Sequence, residues 1–305
     1  MSRDAEKVIK AMHEYIDKYG NEDMNEEQMN SLMQQFMEEY NSNLPKPVTE
    51  KTAKTSEDYV ELAESTEDIG KAGIYAKKAL KLDPDNLDAE RILIDCTSSG
   101  VIDVLKKYDR AIKHGNEVMK KRGYMNEDCI GDYWGIFETR PYIRLCGAYV
   151  ETLVDCGMYG RALAEAKNII HLNEGDNLGM RYKLMHIYSL LEREEEALSL
   201  HAQYDNREET MMLLPLSILF FKKGDFDTAE KYLKKLCKSN KDTKKFVKAF
   251  VNDDLERYLR EISDYGYRPY SIEELIIDMT ENSFLIANMS AYFFWANDIL
   301  NKKKR

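Results

Sequence analysis

The polar residues best suited to chemistry lie in two stretches, each of which leads into an apolar helix. Residues 132–145 read DYWGIFETRPYIRL, and residues 175–185 read GDNLGMRYKLM. Arginines in such a setting can hold the phosphate or carboxylate of a ligand, through charge-assisted hydrogen bonds. The residues of this predicted polar cluster are Trp134, Glu138, Thr139, Arg140, Arg144, Asp176, Asn177 and Arg181.

Two interpretations of the polar cluster stay open, and the structural one is favoured. In that interpretation Asp176 or Asn177 caps the following helix. Glu138 then pairs with Arg144 or with Arg181, so that removing Glu138 should lower the melting temperature. In the functional interpretation the arginines bind an anionic ligand. The structural one is favoured because carboxylates are already present to pair with the arginines.

Metal, redox and cofactor chemistry have little support in the sequence. The histidines show no HxxH or HxxxH pairing, and the cysteines form no CxxC pair. No P-loop, GxGxxG or nucleophile-elbow motif occurs. We therefore expect no cofactor, no metal ion and no catalytic residue. The residues concerned are His13, His114, His171, His186, His201, Cys96, Cys129, Cys146, Cys156 and Cys237.

Composition excludes several classes of protein. The 305 residues carry a formal net charge of −11, which argues against general affinity for nucleic acid or for acidic membranes. No apolar run approaches the ~20 residues that span a bilayer, and the polar start MSRDAEKVIK is not a signal peptide. The cysteines are scattered and odd in total, which predicts a reducing, cytoplasmic compartment. Few prolines and glycines favour a mostly helical chain.

A short phrase recurs in the middle of the chain. Its full form, Gly-x-aromatic-x-x-Ala, occurs as Gly157–Ala162 and as Gly224–Ala229, while a middle copy keeps only Ala197. The alanines stand 35 and 32 residues apart, a period typical of helix–turn–helix repeats. The glycine allows the chain to leave the first helix, and the alanine lets the second helix pack closely against it. Such a pair must stack on its neighbours to bury its apolar face.

The phrase resembles the tetratricopeptide repeat. Tyr159 and Phe226 match one aromatic position of that motif, and Tyr188 and Phe220 match another. The stretch KALKLDPDN, residues 78–86, is the one most typical of the family. The resemblance implies an all-α fold: a right-handed superhelical solenoid of about five helix–turn–helix repeats, with a helical arm before it and a helical cap after it.

The resemblance also implies a concave groove lined by the first helix of each pair. By register, the groove positions are Arg144, Gly147, Glu151, Val154, Gly179, Tyr182, His186, Ser189, Met211, Leu214, Ile218 and Phe221. The candidate partner-binding residues among them are Arg144, Glu151, Tyr182, His186, Ser189, Leu214 and Phe221, of which Tyr182, His186 and Phe221 are candidate anchors. Since this set lacks the basic and asparagine residues of the family's carboxylate clamps, a C-terminal peptide carboxylate is not specifically predicted.

The sequence divides into six predicted segments. They are an amphipathic helical hairpin (1–40), a linker (41–55), two repeats of which the second is degenerate (56–121), an insertion anchored by Trp134 (122–140), three repeats (141–240), and a helical cap with a basic tail (241–305). The hairpin holds four basic against ten acidic side chains, which would repel DNA phosphates. A packing arm or a homodimerising arm is therefore expected there.

Two longer signatures, W-G-x-x-E-T-R-P-Y-x-R and D-N-x-G-x-R-Y, resemble a subfamily of bacterial repeat proteins from about residue 56 onward. They bring no chemistry with them. We predict a non-enzymatic scaffold or adaptor that binds a protein or peptide in the groove. One alternative is a peptide-responsive regulator that sequesters a partner. The other is an enzyme whose site would consist of Glu138, Arg140, Arg144, Asp176 and Arg181.

Overall fold

The structure is a computed structural model that describes residues 3–21, 23–44, 46–260, 262, 266–286 and 288–302. This part of the chain forms seventeen α-helices and one short 3₁₀ helix, so the predicted all-α class is confirmed. The chain divides into two compact units, residues 1–97 and 98–305. The boundary falls inside the predicted degenerate repeat. None of the described helices is both long and apolar enough to cross a membrane.

The first unit contains five helices. They are α1 (Arg3–Tyr19), α2 (Glu26–Ser42), α3 (Ser56–Ser65), α4 (Ile69–Leu82) and α5 (Leu87–Thr97). Asn25 caps α2, because its side chain accepts from the N–H of Gln28, whose own side chain accepts from the N–H of Asn25. Tyr15 of α1 packs on Phe36 of α2, with ring centroids 5.5 Å apart, which joins the two helices as a hairpin.

The predicted linker makes ordered contacts within this unit. Val48 and Ala53 pack against the core of α3, α4 and α5. The carboxylate of Asp58 accepts from the N–H groups of Lys54 and Thr55, at 2.8 and 2.9 Å, and so fixes the entry to α3. Residues 46–55 are therefore part of the first compact unit.

The second unit contains the other helices. They are α6 (Val101–Lys121), α7 (Arg140–Asp155), α8 (Tyr159–Leu172), α9 (Met180–Leu190), α10 (Glu194–Gln203), α11 (Thr210–Lys222), α12 (Phe226–Ser239), α13 (Thr243–Val251), α14 (Leu255–Leu259), α15 (Ile272–Glu281), α16 (Ser283–Ile286) and α17 (Ser290–Asn301), with the 3₁₀ helix at Phe137–Thr139. Helices α6 to α12 pack largely in chain order, and α9 also contacts α11. The motif alanines Ala162, Ala197 and Ala229 are fully buried, as close helix packing requires.

The turns after α7, α9 and α11 share one geometry. In each, a backbone N–H reaches back five residues to a carbonyl at the helix end, which is the hydrogen bond of a Schellman motif. The three bonds run from Met158 to Leu153 (2.8 Å), from Arg193 to Tyr188 (2.9 Å) and from Asp225 to Phe220 (3.0 Å). The left-handed residues in these turns are Gly157, Glu192 and Gly224.

The C-terminal helices build a core together with α9, α11 and α12. Helix α15 packs on α11 and α13, α16 packs on α9, and α17 packs on α12 and α13. Phe246, Leu275, Tyr292 and Phe293 are completely buried in this core. The predicted cap therefore lies against helices that were predicted to line the groove. Residues 303–305 of the predicted basic tail lie outside the described residues.

Candidate functional site

The insertion before α7 is held to the loop after α8 by backbone hydrogen bonds. The N–H groups of Gly131 and Tyr133 both donate to the carbonyl of Leu172, at 3.1 and 3.0 Å. The N–H of Glu174 donates to the carbonyl of Gly131 at 2.8 Å. The two polar stretches identified in the sequence are therefore brought together, and backbone groups make the connection.

Arg140 anchors the insertion internally. Its guanidinium lies over the rings of Phe137 and Trp134, at 4.2 and 5.3 Å from the ring centroids. Its Nε donates to the carbonyl of Trp134 at 2.7 Å. Arg140 and Trp134 are both buried. The stacking and the hydrogen bond orient this arginine toward its own segment, as the structural interpretation of Trp134 requires.

Asp176 caps α9 from a buried position. Its Oδ1 accepts from the N–H of Met180 at 2.6 Å, and its Oδ2 accepts from the N–H of Arg181 at 3.1 Å. Burial raises the pKa of the Asp176 carboxyl, and the hydrogen bonds from Arg181 oppose that rise. Of the two capping residues that the sequence offered, Asp176 makes these contacts, whereas Asn177 is exposed.

Arg181 is the centre of a paired and partly buried cluster. Its Nη1 lies 2.8 Å from Oδ2 of Asp176, and its Nη2 lies 3.3 Å from Oε1 of Glu209. The guanidinium also packs over the rings of Tyr182 and Tyr204, at 4.1 and 5.2 Å. Of the two carboxylates that pair with Arg181, that of Asp176 thus comes from the loop before its own helix, and that of Glu209 comes from the residue before α11.

This pairing differs from the one expected from the sequence. In the described part of the chain the carboxylates against Arg181 are those of Asp176 and Glu209, and Glu138 is an exposed residue. The physical reason is proximity: Asp176 is already held in place by the backbone of α9, so its carboxylate needs no further ordering to meet the guanidinium. Arg144 on α7 is half-buried.

The predicted groove residues of α9 and α11 are mostly covered. His186 and Ser189 on α9 and Leu214 on α11 are buried, as are Met211 and Ile218. Helices α15 and α16 lie against these two helices and bury their own apolar residues in a shared core with them. These groove residues therefore form an internal interface, which corrects the expectation that they line an open surface.

Phe221 lies at the edge of this covered face. Its ring packs against Tyr292 at 5.5 Å and Trp295 at 5.2 Å, both on α17, and against Phe226 at 5.5 Å. Phe226 is half exposed. Phe221 is thus only partly accessible to a partner.

The interface between α9 and α15 contains a buried polar pair. Nδ1 of His186 lies 2.7 Å from the carbonyl oxygen of Tyr182, so this nitrogen carries the proton and donates it. Nε2 of His186 lies 3.1 Å from Oδ1 of Asp278 without the geometry of a hydrogen bond. Both side chains are completely buried. Oγ of Ser189 and Oδ2 of Asp278 also lack hydrogen-bond partners within the described residues.

An open depression of about 420 Å³ remains beside the covered face. It brings together Glu151 and Tyr182 from the predicted groove with Asp176, Asn177 and Arg181 from the predicted polar cluster. Other residues that line it include Lys183, Met211, Tyr267, Glu281 and Asn282. This is the candidate functional site, and we call it the α7–α9 depression.

The second cation of the α7–α9 depression is also compensated. Nζ of Lys183 lies 2.9 Å from Oε2 of Glu151 and donates to the carbonyl of Glu281 at 2.9 Å. Burial raises the pKa of the Glu281 carboxyl, and the charge of Lys183 opposes that rise. Because both Arg181 and Lys183 have internal carboxylates, the depression offers a mixed polar and aromatic surface with no free cation among its described residues.

The described residues form neither a metal-binding cluster nor a cysteine with an activated thiol at the two positions considered below. Within them, no group of three or more histidine, cysteine, aspartate or glutamate side chains is placed to hold a metal ion. The five cysteines are unbridged. Burial raises the pKa of Cys146 to about 12, and burial also raises the pKa of Cys237, so neither thiol is activated as a nucleophile.

Four residues of the site and its surroundings escaped the sequence interpretation: Lys183, Glu209, Asp278 and Glu281. A signal existed for Asp278, which stands alone within the apolar run LIIDM of α15 and so predicts a buried polar partner. Glu209 directly precedes α11, whose first seven residues, TMMLLPL, are apolar except for Thr210. No local pattern linked either residue to α9, because both contacts join distant parts of the chain. Comparisons with protein-family models and with curated proteins give no match to this sequence.

Proposed function

We propose that this chain is a non-enzymatic binding module, built as a solenoid of tetratricopeptide-like repeats, that holds a segment of a partner protein. The observation that carries the proposal is the inner face of α9 and α11, an apolar surface that accommodates helical segments, here α15 and α16 of the same chain. Stacked helices that accept a helix on one face bind partners in the same manner. The repeat period and the shared turn geometry support the solenoid.

The partner segment would enter at the α7–α9 depression. The depression lies where the cover by α15 ends, and it is open to solvent. Glu151 is half exposed there, with 52% of its side chain accessible, and Tyr182 offers an aromatic surface beside it. Tyrosine and paired charges at a partly desolvated edge are typical of protein-binding sites.

An enzymatic role for the polar cluster has weaker support. Arg140 is directed into its own segment, and Arg181 is saturated by two carboxylates. A catalytic arginine needs free donors toward the developing charge of a substrate. The cluster is better explained as the support of the loop that shapes the depression.

The proposal is tested by selecting peptides from a displayed random library on the purified full chain and measuring their affinity by fluorescence anisotropy. The site variant is Glu151→Arg, and the control is Glu117→Arg, which makes the same charge change at an exposed position of α6. We expect Glu151→Arg to weaken binding by about tenfold, since a rim charge against a partner is inverted. Glu117→Arg should leave the affinity unchanged.

Two results would contradict the proposal. One is the absence of any enriched peptide. The other is a set of enriched peptides that bind equally to the wild type, to Glu151→Arg and to Asn177→Trp, which places a bulky side chain in the depression. Circular dichroism of each variant checks that the fold is kept.

A further inference from the structure

The charged residues that line the α7–α9 depression differ in exposure according to their sign. Its two cations are largely buried, since the side chains of Arg181 and Lys183 are 15% and 10% exposed. Of its three carboxylates, that of Asp176 is fully buried, whereas Glu151 and Glu281 are exposed residues. The charge that the depression presents to solvent is therefore mainly negative.

The internal ion pairs leave the carboxylate of Glu281 without a partner. Arg181 has two carboxylates of its own, and Lys183 meets the carboxylate of Glu151. Lys183 contacts Glu281 through the backbone, because its Nζ donates to the carbonyl oxygen of that residue. Within the described residues, the side chain of Glu281 itself forms neither an ion pair nor a hydrogen bond.

The surroundings of this unpaired carboxylate disfavour its charge. Although Glu281 is exposed, neighbouring protein atoms withdraw part of its water, and this burial raises the pKa of its carboxyl. The nearby carboxylates of Asp278 and Glu151 raise this pKa further, whereas Lys183 and His186 lower it. A cation bound directly to the Glu281 carboxylate would favour the ionised form, through a charge-assisted hydrogen bond.

A second acceptor next to Glu281 also lacks a donor. Asn282 lines the depression and is only 2% exposed. Its Nδ2 donates to Oδ1 of Asp278 at 3.0 Å, but its own Oδ1 is buried without a hydrogen-bond partner among the described residues. Such an oxygen is costly because it has lost its hydrogen bonds to water. Both acceptors stand at the carboxyl end of α15, where the helix dipole favours a cation and the last turn has no basic residue.

Resting on the function proposed above, we propose that the partner segment inserts a basic side chain, lysine or arginine, into the α7–α9 depression. The carboxylate of Glu281 is its counter-ion, and Asn282 contributes a neutral acceptor at the floor. Glu151, whose carboxylate is shared with Lys183 but remains half exposed, adds negative charge at the rim. The exposed ring of Tyr267 can cover the apolar stem of the inserted side chain.

Acidic and apolar side chains suit the depression less well. An acidic side chain would meet the like charges of Glu281 and Glu151, which is costly. An apolar side chain would cover the unpaired acceptors and give them no donor. The nearest arginines do not reverse the sign of the surface. Arg268, next to Tyr267, is held by Glu273 at 2.7 Å, and Arg144 of α7 does not line the depression.

The test measures the retention of three peptide pools on the immobilised full chain. Each peptide has one fixed central residue in a random sequence of uncharged residues. The central residue is lysine or arginine in the basic pool, norleucine in the second pool and glutamate in the third. Norleucine reproduces the apolar stem of lysine without its charge. We expect the basic pool to bind about tenfold more tightly than the norleucine pool, and the glutamate pool to bind most weakly.

Three variants locate the preference. Glu281→Gln removes the charge of the proposed counter-ion but keeps the size of the side chain and the carbonyl that holds Lys183, so the fold should persist. It should lose most of the tenfold preference. Glu117→Gln makes the same change at an exposed position of α6 and should keep the preference. This control excludes a general attraction of basic peptides to a chain of net charge −11. Asn177→Trp obstructs the depression and should release every pool.

The outcomes separate this assignment from the proposed function. If all pools bind alike and Asn177→Trp releases them, the depression binds a partner segment but has no site for a basic side chain. A basic preference that persists in Glu281→Gln, or tighter binding of the glutamate pool, would also overturn the assignment alone. Retention of no pool, or retention that Asn177→Trp leaves unchanged, would contradict both the assignment and the proposed function. Circular dichroism of each variant checks that its helices are intact.

Discussion

Glu192 occupies, between α9 and α10, the left-handed backbone position that Gly224 occupies between α11 and α12. Their φ angles are 57° and 79°, and the same five-residue hydrogen bond closes both turns. Glycine adopts this conformation freely, whereas a residue with a β-carbon is strained in it. The repeat geometry is thus imposed at Glu192 by the packing of the helices around it.

Relieving that strain should stabilise the protein. We expect Glu192→Gly to raise the free energy of unfolding by about 1 kcal/mol, or the melting temperature by about 2–4 °C. The lost ion pair with Lys222, at 3.5 Å and exposed on the glutamate side, should offset little of this gain. Gly224→Ala is the opposite control, since its β-carbon meets no atom within 4 Å and only the backbone is strained. Calorimetry measures both, and a less stable Glu192→Gly would contradict the assignment.

The buried pair of His186 and Asp278 should hold α15 onto α9. His186→Leu would leave the side chain of Asp278 buried against an apolar group, and we expect a loss of about 1–3 kcal/mol in urea unfolding. His186→Leu/Asp278→Leu removes both polar groups, so its cost should be smaller than that of the single change. A loss in the double variant equal to the sum of the losses in the two single variants would show that the two side chains do not interact.

The helix–turn–helix pairs that carry the full phrase were predictable, because interactions between residues close together in the chain determine their turns and helix contacts. Gly157 and Gly224 adopt the left-handed conformations that the phrase requires, and Ala162 and Ala229 are buried at the helix contacts. The middle copy shows the limit of that prediction. It has the same turn without the glycine, so its geometry follows from neighbouring helices and not from its own sequence.

The covered groove could not be predicted from a repeat pattern. Burial of His186 and Leu214 depends on α15 and α16, which begin more than fifty residues later in the chain. Their apolar character was visible, but an apolar helix does not reveal which surface it covers. The pairing of Arg181 could not be predicted for the same reason, because Glu209 belongs to a different helix pair.

The Arg181 cluster yields a comparison between two carboxylates. Asp176→Ala removes the cap of α9 and one partner of a largely buried arginine, so we expect it to cost about 3 kcal/mol. Glu138→Ala alters an exposed side chain and should change stability by less than about 0.5 kcal/mol. Urea unfolding ranks the two. A large effect of Glu138→Ala would restore the pairing expected from the sequence.

Two helical glycines should respond oppositely to alanine. A β-carbon on Gly115 of α6 would lie 2.7 Å from Cδ2 of Tyr142, which is buried and whose hydroxyl donates to Asn116 at 3.0 Å. We expect Gly115→Ala to cost about 1–3 kcal/mol through overpacking. At Gly160 of α8 a β-carbon meets nothing within 4 Å, so Gly160→Ala should gain up to about 1 kcal/mol from helix propensity. A stabilising Gly115→Ala would show that α6 and α7 can separate at low cost.

Glu165 should make the protein less stable as pH rises. Burial raises the pKa of its carboxyl, and the charge of Arg161 opposes the rise. The folded state therefore binds more protons than the unfolded chain between the unfolded pKa, about 4.3, and the raised pKa of the folded state. The stability of the protein falls as pH increases through that range. Since Glu165→Gln stays uncharged, it should exceed the wild type in stability at neutral pH, and the difference should vanish below about pH 4.

Asp109 provides the control of opposite sign for this pH series. The hydrogen bond from Tyr149 holds the pKa of the Asp109 carboxyl low, so its contribution is present above the unfolded pKa and is lost as pH falls. Asp109→Asn should therefore be less stable than the wild type at neutral pH and equal to it in acid. Urea unfolding at a series of pH values follows both variants. A Glu165→Gln variant that is less stable than the wild type at neutral pH would contradict the prediction. It would show that the ionised carboxylate of Glu165 stabilises the folded protein, although burial disfavours that form.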